Sequence, residues 1–91
     1  MSKASQEVEI CNRLGLHARA AARFVHTASS FRSEIQIKMD GQQVDGKSIL
    51  GLLLLAATQG SLVCIQAAGE DAEEAVVALC TLVKDRFGEG S

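Results

Sequence analysis

Hydrophobic spacing switches between two periods along this chain. Glu7-Val8-Glu9-Ile10-Cys11-Asn12 alternates and predicts a strand with Val8 and Ile10 inward. A helix follows from about Ala18 to Ser29, with Ala18, Ala21, Ala22, Val25 and Ala28 as its buried stripe. Arg19, Arg23, His26, Thr27 and Ser30 fall on the solvated side of that helix. Ser33 to Met39 alternates again, and Asp40-Gly41 turns it into a hairpin with a short strand around Gln43 to Asp45. Ser48 is a good N-cap for a second, short helix closed by Gly60. Ser61 to Ala68 reads as a strand with Val63, Ile65 and Ala67 on one face. Asp71 and Glu74 have capping-box spacing ahead of a third helix, whose stripe is Ala75, Val76, Leu79, Leu82 and Val83. The order β-α-β-β-α-β-α suits an antiparallel sheet with one wet face and three helices on the other, a two-layer α/β sandwich. A single domain over 1–91 is expected, with 1–6 and 88–91 as flexible ends.

The second helix is more apolar than a surface helix requires. Between Ile49 and Leu55 only Gly51 is not a large apolar residue, and one narrow stripe cannot hold them all. Part of this helix should therefore be exposed, and an exposed apolar patch marks a partner site. If the two helix starts lie close together, Arg19, Arg23 and Lys47 rim that patch and suit an acidic-rimmed, apolar partner.

Composition narrows the partners. Net charge is −2, which gives no general attraction to nucleic acid, and the only aromatics are three Phe, which leaves no base-stacking surface. Cys11, Cys64 and Cys80 are odd in number and lack C-x-x-C spacing, so neither a disulfide framework nor a metal site is implied. They read as reduced, small hydrophobes of a cytoplasmic protein. The N-terminus lacks the apolar core of a signal peptide, and the run Ile49 to Ala57 is too short to span a membrane.

The chemistry centres on His17, in Gly15-Leu16-His17-Ala18-Arg19. It stands where a glycine-bearing loop becomes a helix, and no Ser, Thr, Asp or Asn is there to cap it. Free backbone N–H groups, the positive end of the helix dipole and Arg19 favour an anion, so a histidine among them could carry a phosphoryl group. The competing reading makes His17 a substitute cap. His26 is inside the helix, where backbone donors are paired, and reads as a surface histidine. No Walker A motif is present, and no carboxylate cluster with Mg²⁺ spacing lies near His17, so neither ATP nor any other cofactor is expected.

Gly15-Leu16-His17-Ala18-Arg19, then Gly46-Lys47-Ser48-Ile49, then Gly60 and Gly69-Glu70-Asp71, resemble the HPr family, the histidine-containing phosphocarriers of the bacterial phosphoenolpyruvate:phosphotransferase system. The likeness runs from Glu7 to about Phe87. It implies an open-faced sandwich of sheet order 1-4-2-3 and a monomer that relays rather than catalyses independently. It implies that His17 accepts a phosphoryl group on Nδ1 from phosphorylated Enzyme I and yields it to an EIIA-type domain, assisted by Arg19. Ser48 matches the serine modified by HPr kinase/phosphorylase. Ile49, Leu50 and Leu53 match the apolar docking surface, which Ala18, Ala20, Arg23 and Lys47 would extend. Ala20 departs from the family's His-x-Arg-Pro and resembles the nitrogen-type branch, NPr, which feeds a regulatory EIIA rather than a sugar transporter.

Two readings from other classes compete. An acylphosphatase-like hydrolase shares the architecture but needs a Gly-rich phosphate cradle, which Gly15-Leu16-His17 is not. A pure binding module accounts for the exposed leucines and leaves His17 and Arg19 unexplained.

Overall fold

A computed structural model describes residues 2–91. Its elements run β1 (Ser2–Glu9), α1 (Ala18–Ser29), β2 (Glu34–Met39), β3 (Gln42–Asp45), α2 (Ile49–Leu55), β4 (Leu62–Gly69) and α3 (Ala72–Lys84), then a 3-10 turn over Arg86–Gly88. The sheet is antiparallel throughout, in the order β1-β4-β2-β3. Alternation fixes which face is buried: Val8, Ile35, Ile37, Val63, Ile65 and Ala67 point at the helices, while Gln36, Cys64 and Gln66 lie on the other side. This is the expected two-layer arrangement of four strands and three helices.

Local departures have identifiable causes. Strand β1 starts at Ser2, and residues 2–6, expected to be loose, run in register along β4 from Ser2↔Gly69 to Gln6↔Ile65. A polar stretch such as Ser2-Lys3 shows little apolar alternation, yet a neighbouring strand supplies it with hydrogen-bond partners. Strand pairing ends at Glu9, so Cys11 and Asn12 belong to the loop.

Helix α1 is rotated from the expected orientation. It buries Ala20, Ala21, Phe24 and Ala28, leaves Ala18 and Ala22 exposed and covers Val25 only in part. Four alanines among residues 18–22 do not discriminate between faces, so Phe24 decides. Its ring, 1% exposed, removes more apolar surface from water than Val25 could. One consequence is a correction: Ala20 is fully buried and cannot extend a docking surface.

Helix α2 ends at Ala56, which takes a left-handed φ of 55°, and not at Gly60, which turns the chain into β4. Helix α3 has Asp71 at its N-cap position, but the side chain makes no cap bond. The expected capping box is absent because the carboxylate turns to the chain entering β2. It accepts from the Arg32 N–H at 2.8 Å, the Ser33 N–H at 2.9 Å and the Ser33 hydroxyl at 2.6 Å. These donors, the Ser33 hydroxyl first, hold the Asp71 carboxyl at about 2, against an ordinary 3.8.

Candidate functional site

His17 sits at the junction of three segments. The backbone N–H of Leu16 donates to the Ala57 carbonyl at 2.9 Å, which ties the start of α1 to the end of α2. Gly15 makes that approach feasible. Its φ is +68°, and a Cβ there would stand 2.6 Å from the Ala57 oxygen. His17 then takes the N-cap position of α1 with extended backbone, and its Nδ1 accepts the Arg19 N–H at 3.2 Å. The substitute-cap reading is thus correct as local structure, and it is compatible with the phosphoacceptor reading. A nitrogen that accepts a hydrogen bond carries a lone pair and no proton.

The opposite edge of the ring faces a residue that the sequence pattern assigned to a fraying end. Glu89 Oε2 lies 2.5 Å from His17 Nε2, and Glu89 Oε1 accepts from Asn12 Nδ2 at 2.8 Å. Asn12 is fully buried, and its amide also donates to the Gly15 carbonyl at 2.8 Å. Its amide orientation follows from these partners, because both are acceptors. The Asn12 amide, and then the facing imidazole, hold the Glu89 carboxyl below the ordinary carboxylate range. Neither Asn12 nor Glu89 stood out by sequence reasoning. The available signal was Phe87, an isolated aromatic in a glycine-rich end, which anchors that end in the core at 1% exposure.

Arginines surround the pair on the solvent side. Arg13, Arg19 and Arg23 line one shallow depression together with Glu89. Arg19 is exposed, and among the described residues its guanidinium makes no hydrogen bond or ion pair. Arg23 is engaged, donating through Nη1 to the Phe87 carbonyl. The arrangement presents an unprotonated ring nitrogen, a helix N-terminus and a free guanidinium to solvent. Together these can hold a tetrahedral anion bonded to Nδ1.

Ser48 is the expected N-cap of α2, its Oγ accepting the Gly51 N–H at 3.0 Å. The two helix starts are not together, however. The start of α1 adjoins the end of α2, whereas Lys47 reaches the far end of α1, its Nζ donating to the Phe31 carbonyl at 2.8 Å. Lys47 therefore does not share a rim with Arg19 and Arg23. The apolar surplus of α2 is exposed as its sequence requires. Leu52 and Leu55 are buried, while Leu50 and Leu54 are 67% and 69% exposed, with Ile49 and Leu53 also outward. His26 is exposed in the last turn of α1, away from the free donors of that helix.

The chain is similar to several known proteins. A family model described as the PTS HPr component phosphorylation site matches residues 4–85. Phosphocarrier protein HPr of Neisseria meningitidis serogroup A is 47% identical over 85 residues, covering 93% of this chain and 96% of that protein. Phosphocarrier protein NPr of Shewanella violacea is 42% identical over 91 residues, the whole of both chains. The crystal structure of HPr-C-His from Thermoanaerobacter tengcongensis is similar at TM-score 0.90 and 45% identity over 100% of both chains. The matched span of the family model contains His17, Arg19 and Ser48 and stops short of Glu89.

Proposed function

Because the chain belongs to the HPr family of phosphocarriers of the phosphotransferase system, we propose that His17 is the residue on which it carries the phosphoryl group. His17 takes that group on Nδ1 from phosphorylated Enzyme I and passes it to an EIIA-type domain. The observation that supports this most directly is the hydrogen bond from the Arg19 N–H to Nδ1, which marks the nitrogen as unprotonated and sets it at the positive end of α1. When Nδ1 bonds to phosphorus, that N–H is free to turn to a phosphoryl oxygen, and the Arg19 side chain adds a second donor. Positioning and charge are what phosphoryl transfer chiefly needs. The protein then acts as a relay in the cytoplasm rather than as an independent enzyme.

The docking surface in this reading is Ile49, Leu50 and Leu53 on α2, with Ala18 and Arg19 at its edge. A phosphate on Ser48, placed by an HPr kinase/phosphorylase, would add charge beside that surface. The test is incubation with Enzyme I and phosphoenolpyruvate followed by intact mass: one added, acid-labile phosphoryl group is expected. Labelling that persists in His17→Ala overturns the assignment and points to His26.

A nitrogen-type relay is the second reading. It stands on the full-length match to a protein named NPr and on Ala20 in place of the family proline. Offering the phosphorylated protein to a sugar-type and a nitrogen-type EIIA separates the two by which acceptor is labelled faster.

A further inference from the structure

The tail beyond α3 is built to deliver one carboxylate to the ring. Arg86 and Phe87 both take left-handed φ, at 56° and 55°, which reverses the chain after the helix. Two consecutive non-glycine residues in that sparsely populated region are strained, so the reversal persists only because other contacts hold it. Phe87 is buried in the core, the Arg23 guanidinium donates to its carbonyl, and the buried Asn12 amide donates to Glu89. The Glu89 side chain ends up only 14% exposed against a His17 ring 26% exposed. Contacts from α1, from the loop after β1 and from the core thus hold the short segment that carries this side chain.

We propose that Glu89 is a positioning residue for His17: it holds the proton on Nε2, keeps Nδ1 as the bare nucleophilic nitrogen, and balances the positive charge the ring gains when Nδ1 bonds to phosphorus. The inference rests on His17 being the phosphoacceptor. A carboxylate can only accept, so the nitrogen facing it must donate. The Arg19 N–H favours the same assignment from the other edge of the ring through a longer, weaker hydrogen bond at 3.2 Å. With the tautomer fixed, the Nδ1 lone pair forms the N–P bond while the bond from phosphorus to the donor breaks. The bonding pair leaves with the donor, and the Nε2 proton stays where it is. No base is needed. In the onward step the N–P electron pair returns to Nδ1 and the ring is restored unchanged. The charged side chains around the pair are Arg13, Arg19 and Arg23, and Glu89 is the one acidic side chain among the residues lining that depression.

Glutamine cannot replace it. Nε2–H and the Asn12 amide are two donors facing two oxygens, and a side-chain amide offers only one. The test uses full-length wild type, Glu89→Gln and Glu89→Ala. It combines ¹⁵N spectra of the His17 ring with single-turnover transfer from phosphorylated Enzyme I. Wild type is expected to show a protonated Nε2 and a bare Nδ1. Both variants are expected to populate the Nδ1–H form, and their saturating transfer rate falls by about ten-fold while the half-saturating concentration is unchanged. Wild-type ring shifts in both variants, or a wild-type rate in both, overturn the proposal. Circular dichroism separates a lost tail from a lost fold. His17→Ala, run alongside, keeps the two readings apart: label in that variant refutes the phosphoacceptor assignment, whereas unlabelled His17→Ala beside unaffected Glu89 variants refutes only the role of Glu89.

Discussion

The starts of α1 and α2 are capped by the same device with opposite results. Ser48 Oγ accepts the N–H three residues on at 3.0 Å, an ordinary cap on a short side chain that returns to its own helix. His17 Nδ1 accepts the N–H only two residues on, at 3.2 Å, and the atom that caps is the atom that would react. A serine cap satisfies the helix start by itself. A histidine cap satisfies it weakly and surrenders the donor as soon as Nδ1 acquires a phosphoryl group. The helix start proposed to be reactive is thus the one where the local rule is only half met, which is where functional sites depart from consistency.

Substitutions at the helix starts can break this contrast, and they rank by their effect on transfer. His17→Ala is expected to abolish labelling completely, while stability falls by only about 0.5–1 kcal/mol for the lost cap. Intact mass and a thermal melt check both. A collapse of the fold would mean the cap outweighs the chemistry. Arg19→Ala is expected to slow transfer by roughly ten- to a hundred-fold, with stability within about 0.5 kcal/mol of wild type for an exposed site. A large loss of melting temperature with normal transfer would make Arg19 structural.

Ser48→Asp comes next. Aspartate also caps, so the melt should barely change, whereas Ser48→Ala should lose about 1 kcal/mol. The added charge beside Ile49 and Leu50 should weaken binding to Enzyme I by ~1–3 kcal/mol, less at higher salt. Titration at two salt concentrations reads this. Equal affinities would leave Ser48 as a cap and nothing more.

The third helix start sharpens the comparison with the smallest effect on transfer. Asp71 looks like the best cap in the chain, yet it serves the entry to β2. Its carboxyl is held at about 2 in the folded protein against an ordinary 3.8. A depressed folded value stabilises at pH above the unfolded value and is lost as pH falls through the folded one. Wild type should therefore lose stability between roughly pH 4 and pH 2. Asp71→Asn should be less stable at pH 7, with a flatter acid limb and unchanged transfer. Melts from pH 2 to pH 7 decide this.

Much of the molecule was legible because period alone fixes it. Ile35 and Ile37, or Val63, Ile65 and Ala67, admit only one buried face. The exposed leucines of α2 followed from counting. His17 stood out because no better cap was present. Illegible features depended on competition between near-equal choices or on distant contacts. The alanines of α1 could not announce which of them Phe24 would bury. The carboxylate of Asp71 had a local role on offer and took one near residue 33 instead. Glu89 meets His17 across 72 residues, through a reversal at Arg86 and Phe87, neither of which is a residue that favours a left-handed backbone.

The tie between Leu16 and Ala57 carries a consequence for the tempo of the relay. A single peptide hydrogen bond, with Gly15 packed against the same carbonyl, fixes the offset between the exposed leucines and the imidazole. On the proposed docking to α2, a partner would meet the nitrogen at a set distance, and the time spent per encounter would then be governed by arrival and departure. A carrier that must meet one protein to load and another to unload gains more from that rigid offset than from a tighter grip on either.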